Sequence, residues 1–448
     1  MGAKICIYQI NLVSLQNFFA LHYEHNIFHK FMRHLTIRNV GPIRDVDIEL
    51  KRYNFIIGPQ SSGKSTIAKI LSTCEWIEKE VATTLDEHAV ADGAAFVKLV
   101  EGFHRMEGYF ADESEVDYQT ECIHIVYKKD AFRIKLADGI NYFRKKICYI
   151  PAERNMVTLP ELQGFEFGGI NLRSFLFDWY NARECYTEDN KTDILGLGVN
   201  YFYDGDQLRY KDRIQHTNGK TYEIALSCAS SGLQSVIPLV IMLKYYTSVY
   251  FSDYGNKSSF VDDAKGRMMR QALTDNVVLK PLYGSYESKD RTALVKDVNE
   301  KIKLHEARTM KVLQEYQAKI TQLSTPVKTS FIMEEPEQNL FPFTQIELLE
   351  TVIRLCSSNS ERKHDFTITT HSPFMLNYLN VLIMRHYKDA KGKTALNPKD
   401  LNVFSTQDGR LVNMMQKNTK TGLLSVNAED LVEAMRSMYA EYMQLKQK

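Results

Sequence analysis

The stretch YNFIIGPQSSGKSTIAKIL, Tyr53 to Leu71, leaves a chain few options. Phe55-Ile56-Ile57 reads as a short buried strand, and Ser65 to Leu71 as the opening of a helix. Between them lies Gly58-Pro59-Gln60-Ser61-Ser62-Gly63-Lys64-Ser65, a full G-x-x-x-x-G-K-[ST]. The spacing has a physical reason. Gly58 and Gly63 let the backbone wrap closely around a phosphate chain, so that successive N–H groups point inward as donors. Lys64 reaches the β- and γ-phosphates, Ser65 offers its hydroxyl to Mg²⁺, and the helix start at Thr66 adds its partial positive charge. A flexible Gly/Ser turn would not need a strand before it and a helix after it. The reading is a nucleoside triphosphate held by residues 58–66.

A phosphate loop needs a second strand whose end presents a carboxylate to the cation. Phe331-Ile332-Met333 is such a strand, and Glu334 and Glu335 follow it in FIMEEPEQNLFP. In isolation, paired acids after an apolar run read as a solvated turn. Beside a phosphate loop they divide the work: Glu334 holds Mg²⁺, and Glu335 polarises the water that attacks the γ-phosphate. Pro336 ends the strand, and Pro336 to Pro342 leads into a helix near Phe343. In HDFTITTHSPF, alternation over Phe366–Thr370 predicts a third strand with His371 at its end. Ligands of such sheets gather at the carboxyl ends of strands, which makes His371 a candidate to contact the γ-phosphate or position the water. Ser230-Ser231-Gly232-Leu233-Gln234 opens an apolar helical run, a further place where free N–H groups meet an anion. An ordinary serine N-cap is the alternative there.

These motifs together resemble the ABC-type ATPases, and within them the soluble SMC, RecF and OLD-like branch of prokaryotic "AAA family" ATPases. Gly58–Ser65 resembles the Walker A loop, Phe331–Glu335 the Walker B strand with its catalytic glutamate, and Gln338–Pro342 the D-loop. His371 resembles the switch histidine, and EEPEQNLFP is close to the EEPE-x-x-L-x-P form of that branch. Ser231, Gly232 and Gln234 match three positions of the signature motif, with Leu233 in place of a glycine. Glu334 stands where transporters and SMC proteins usually carry Asp. No Q-loop glutamine is found: Tyr149-Ile150-Pro151-Ala152-Glu153-Arg154 occupies a suitable position, with Glu153 or Arg154 as candidates to lie near the site.

The resemblance implies an α/β P-loop NTPase with a mixed central sheet, helices on both faces, a β-subdomain and helical insertions. It implies ATP and Mg²⁺ as cofactors, and a head-to-tail homodimer or higher homo-oligomer with ATP at the interface, where Ser231, Gly232 and Gln234 act in trans. It further implies one domain over 32–448: a Walker A lobe with β-subdomain (32–155), a helical lobe with the signature (156–326), and a Walker B and switch lobe with a C-terminal helix (327–448). OLD-type nucleases carry a Toprim domain, but the 77 residues after His371 hold no D-x-D. A separate effector protein, as in bacterial anti-phage systems, is therefore the expected partner. DNA repair of RecF or SMC type is the alternative role, and DNA a further candidate partner.

Composition narrows the rest. A formal net charge of +1 gives no global field toward nucleic acid or anionic lipid. Seven scattered cysteines without a C-x-x-C pair fit a reducing cytoplasm, and no apolar run reaches membrane-spanning length. The altered signature, the long insertions and the EEPE form weigh against the ATP-binding subunit of a transporter. Residues 1–31 read as an extension outside the core, with Met32 as the natural start. Residues 160–226 read as irregular and helical. Ser288 to Leu323 reads as one continuous amphipathic helix with a basic face.

Overall fold

The structure is a computed structural model that describes residues 33–137, 142–159, 171–207, 211–257, 264–357 and 362–446. The expectation for residues 1–31 falls outside them. The strands are β1 (Arg33–Val40), β2 (Ile43–Leu50), β3 (Tyr53–Ile57), β4 (Phe110–Gln119), β5 (Ile123–Lys128), β6 (Ala131–Leu136), β7 (Lys145–Ile150), β8 (Thr192–Asp193), β9 (Val199–Tyr203), β10 (Asp212–His216), β11 (Tyr222–Ala225), β12 (Lys328–Glu334), β13 (Asp365–Thr370), β14 (Leu401–Gln407) and β15 (Arg410–Asn413). The helices that matter for the site are α1 (Lys64–Thr84), α2 (Gly93–His104), α3 (Asn171–Arg183) and α4 (Ser231–Lys244).

One sheet carries the molecule, in the order β6-β5-β4-β1-β2-β15-β14-β3-β13-β12-β7. Its first five strands are antiparallel, and β14, β3, β13, β12 and β7 are parallel to one another. β15 joins the halves: it runs antiparallel to β14 and meets β2 through Arg410 and Asp45. Gly409, at φ 74, allows that closure, because a Cβ there would lie 2.6 Å from the Pro42 carbonyl oxygen.

The parallel strands are buried on both faces, which explains their unbroken apolar runs. Phe55 and Ile57 of β3 enter one core and Ile56 the other; Phe331 and Met333 of β12 separate from Ile332 in the same way. The first core receives α3, α4 and the helices Pro342–Ser357 and Pro373–Lys388, through Trp179, Ile237, Leu348 and Leu376. The second receives α1, through Ile67, Ile70, Leu71 and Ile77. Each such side chain, fully buried, stabilises the fold by about 1.5–3 kcal/mol. This is an α/β architecture with a mixed central sheet and helices on both faces, as the motifs lead one to expect.

Two expectations change. Within the stretch 160–226, read as irregular and helical, strands β8 to β11 form a four-stranded antiparallel sheet. Gly219, at φ 80, lies in the connection between β10 and β11, where Asn218-Gly219 is a hairpin signal. The expected continuous helix 288–323 is two helices, Arg291–Lys303 and Ala307–Ser324. His305 takes φ 52 between them, and Val298 and Tyr316 bring both against a third core cluster. The apolar spacing predicted the buried face correctly but carried no sign of the break.

Candidate functional site

The register of the parallel strands sets the site. Ile57 of β3 lies beside Thr370 of β13, and Thr369 beside Glu334 of β12. The three strands therefore end level, and the loops that follow them open on one edge of the sheet. The phosphate loop bends through Ser61 at φ 58 and Gly63 at φ 96, and Lys64 starts α1. Lys64, only 5% exposed, donates from Nζ to the carbonyl oxygens of Gly58 at 2.9 Å and Pro59 at 2.7 Å. Burial lowers its pKa, while the nearby carboxylates of Glu335, Glu337 and Glu334 act in the opposite direction.

Glu334 is 5% exposed, and burial raises its pKa. Lys69, one turn into α1, and a hydrogen bond from the Ser65 hydroxyl oppose that rise. The Tyr149 hydroxyl on β7 donates to Glu334 Oε1. Ser65 and Glu334 thus bring hard oxygens together at the mouth of the phosphate loop. No group of three or more His, Cys, Asp or Glu side chains able to hold a metal occurs among the described residues. One or two protein oxygens, with phosphates and water completing the shell, is the coordination that Mg²⁺ favours. The donor set fits that ion.

Glu335 turns away from its neighbour because its φ is 43, a left-handed conformation that costs a side-chain-bearing residue about 1–2 kcal/mol. Its backbone N–H donates to the Thr369 oxygen at 2.9 Å. Its Oε1 lies 3.3 Å from His371 Nε2, both side chains partly open to solvent. The His371 backbone N–H donates to Glu337 Oε1 at 2.5 Å, and Ser372 donates to Gln345 at 2.5 Å. The two loops after β12 and β13 are stitched together, so that a carboxylate and an imidazole face the cleft as a pair. Such a pair can hold a water molecule and accept its proton.

The structure brings together Gly58–Thr66, Glu334, Glu335 and His371. Ser231, Gly232 and Gln234 make their contacts elsewhere. Ser230 caps α4, accepting from the Leu233 N–H at 3.4 Å, and the Gln234 amide donates to the oxygens of Ser227 and Ala229. Gly232 lies against the segment after Pro336, since a Cβ there would be 2.9 Å from the Asn339 oxygen.

Further contributors line the site. Arg154 proves the more important of its pair: Glu153 ion-pairs with Arg105 at 2.7 Å, whereas Arg154 is fully buried against the Glu334–Pro336 turn. Lys69 approaches the carboxylates without any motif to announce it, while Tyr149 and Glu337 lie within quoted stretches to which no role was given. Thr406 of β14 backs the phosphate loop, with its Oγ1 2.6 Å from Ser62 Oγ.

No protein-family profile matches the sequence, and no curated protein matches it. Among solved structures, the SMC head domain from Thermotoga maritima aligns over 86% of this chain and 97% of its own, at 10% identity and a TM-score of 0.35. The recombination mediator protein RecF in complex with ATPγS aligns over 86% and 98%, at 9% identity and a TM-score of 0.29. A dimeric ATP-binding cassette in a post-hydrolysis state with ADP and Pi aligns over 84% and 96%, at 12% identity and a TM-score of 0.26.

Proposed function

We propose that this chain binds and hydrolyses ATP as an ABC-type ATPase of the SMC/RecF-like branch, and that it works as a nucleotide-gated dimer or larger oligomer. One observation carries the reading: the phosphate loop, the Ser65–Glu334 oxygens and the Glu335–His371 pair converge at the level ends of three adjacent parallel strands. The N–H groups of residues 60–66 and the start of α1 would take the phosphates. Lys64, now bonded to its own loop, would exchange two carbonyl partners for phosphate oxygens. Ser65 and Glu334 would hold Mg²⁺, which supplies charge neutralisation at the β- and γ-phosphates. Glu335 would accept the water proton, and His371 would hold Glu335 and the γ-phosphate in register.

Pairing is supported by Phe341 and Phe343, 68% and 72% exposed, which stand just beyond the site. Apolar surface of that kind calls for a cover, and a second copy placing Ser231, Gly232 and Gln234 on the nucleotide would supply it. No helix among the described residues is long and apolar enough to cross a membrane. For the biological role we favour cytoplasmic anti-phage defence with a separate effector protein; DNA repair or recombination, with DNA as partner, is the second reading.

The test is a purified-protein comparison of four forms. Lys64→Ala should lose ATP binding. Glu335→Gln should bind ATP but hydrolyse it about 10²–10⁴ times more slowly, and should double in mass when ATP is added. Ser231→Arg should stay at the monomer mass with ATP. Unchanged affinity in Lys64→Ala, or wild-type turnover in Glu335→Gln, would refute the assignment.

A further inference from the structure

Arg154 lies just after β7, 0% exposed, and makes no ion pair among the described residues. The Glu337 and Glu335 carboxylates act on it from beyond ion-pair distance, and a buried guanidinium without a directly paired anion is costly unless every N–H finds an acceptor. Here all five do, and all five acceptors are backbone carbonyls. Nε donates to Ser235 at 3.0 Å; Nη1 to Pro151 at 3.4 Å and Glu334 at 3.0 Å; Nη2 to Glu335 at 2.8 Å and Pro336 at 3.3 Å. Burial draws its pKa down to about 10, which leaves it charged at neutral pH.

The choice of acceptors is informative. Glu334, Glu335 and Pro336 are consecutive, and three carbonyl dipoles converging on one point repel each other unless a cation sits there. Glu335 in that turn has φ 43, so its direction toward His371 needs an outside restraint. The carbonyl of Ser235 belongs to α4, directly after Ser231–Gln234. A second bond fastens the same places: Asn339 Nδ2 donates to Ser235 Oγ at 3.0 Å. The start of α4 and the segment 334–339 are therefore joined twice, once through Arg154 and once through Asn339.

We propose that Arg154 is a positioning residue that fixes the left-handed turn at Glu335 and ties it to the start of α4, so that the aim of Glu335 depends on where the adjoining Ser231–Gln234 segment sits. The inference rests on the ATPase reading above. Lysine cannot replace Arg154, because it offers one centre with three donors where a planar fork serves five acceptors.

The test compares Arg154→Lys, Asn339→Ala, Glu335→Gln and wild type for thermal melting, ATP affinity, KM and kcat. In Arg154→Lys, kcat should fall about 10–100-fold, as expected for a misplaced reacting group, with ATP affinity within about threefold of wild type. Asn339→Ala leaves all five Arg154 bonds in place and should lower kcat by about 3–10-fold, again without change in affinity. Wild-type kcat in both variants, or a fall in kcat matched by an equal fall in ATP affinity, would overturn the proposal. If Arg154→Lys does not fold, Asn339→Ala decides alone. Glu335→Gln separates the two layers: rapid turnover in that variant refutes the ATPase assignment, whereas slow Glu335→Gln beside fast Arg154→Lys and Asn339→Ala refutes only the coupling.

Discussion

His104 shows how much chemistry a single side chain can withhold. It ends α2 fully buried, its ring centroid 5.2 Å from that of Tyr149, and neither ring nitrogen has a hydrogen-bond partner among the described residues. Burial, with Lys69 adding to it, lowers its pKa to about 3. An unsatisfied buried donor costs about 1–3 kcal/mol. His104→Leu, close in volume, should therefore raise stability by about 1 kcal/mol at pH 7 with ATP turnover unchanged. The pH dependence follows from the direction of the shift. The unfolded histidine takes up a proton near pH 6.5, whereas the folded one does so only near pH 3. Stability from the neutral ring is complete above about pH 6.5 and is lost as pH falls toward 3. Urea unfolding at pH 7 and pH 5 should show the Leu variant's advantage growing by about 2 kcal/mol. An advantage that stays constant between the two pH values would refute this account of His104.

At the scale of elements, the phosphate loop is shaped by a strand far away in sequence. A Cβ on Gly58 would lie 1.8 Å from Thr406 Oγ1, and Thr406 Oγ1 also bonds Ser62 Oγ. Gly58→Ala should lose about 1–3 kcal/mol of stability through that clash and should bind ATP poorly. Adding Thr406→Ala removes the clashing hydroxyl, so the double variant should recover most of the stability. ATP affinity should stay low, because the alanine methyl still stands where backbone must approach phosphate. Recovery of both together would mean that Gly58 serves packing alone. This pairing also marks what sequence could convey. The strand–loop–helix at Gly58–Thr66, the strand ending at Glu334 and Glu335, and His371 were legible because each is a local pattern with a local chemical reason. Tyr149 meets Glu334 across 185 positions, Arg154 meets it across 180, and Ser62 meets Thr406 across 344. Those contacts exist because β7 and β14 lie near β12 and beside β3, an ordering that no local period encodes. The sheet of β8 to β11 was missed for a smaller reason: an Asn-Gly hairpin signal lay within a stretch read as irregular.

At the scale of the whole molecule, the two halves of the large sheet are tied by charge as well as by packing. Arg33 of β1 contacts Glu75 of α1 at 3.2 Å and Asp365 of β13 at 3.3 Å. Lys145 of β7 bridges Glu75 at 3.2 Å and Glu78 at 2.8 Å, and Lys328 of β12 meets Asp365 at 2.6 Å. Three cations and three carboxylates thus close a network that spans the antiparallel half, α1 and the parallel half. The buried members, Glu75, Glu78, Lys145 and Asp365, depend on the others, because an isolated charge there would lack both water and a partner. Burial alone would raise the Asp365 pKa, but Arg33 and Lys328 more than offset it and hold it at about 2. Its unfolded value is about 3.9, so its contribution is complete above that pH and is lost as pH falls from about 4 toward 2. Asp365→Asn leaves Arg33 and Lys328 facing a neutral amide and should cost about 3–5 kcal/mol at pH 7. Below pH 4 the unfolded chain's Asp365 takes up a proton that the folded one resists until about pH 2, so wild-type stability falls and the gap between wild type and variant should narrow there. Denaturant unfolding at pH 7 and pH 3 measures both values. A gap of the same size at pH 3 would show that Asp365 acts through shape or hydrogen bonding, and not through the charge that joins the two halves of the sheet.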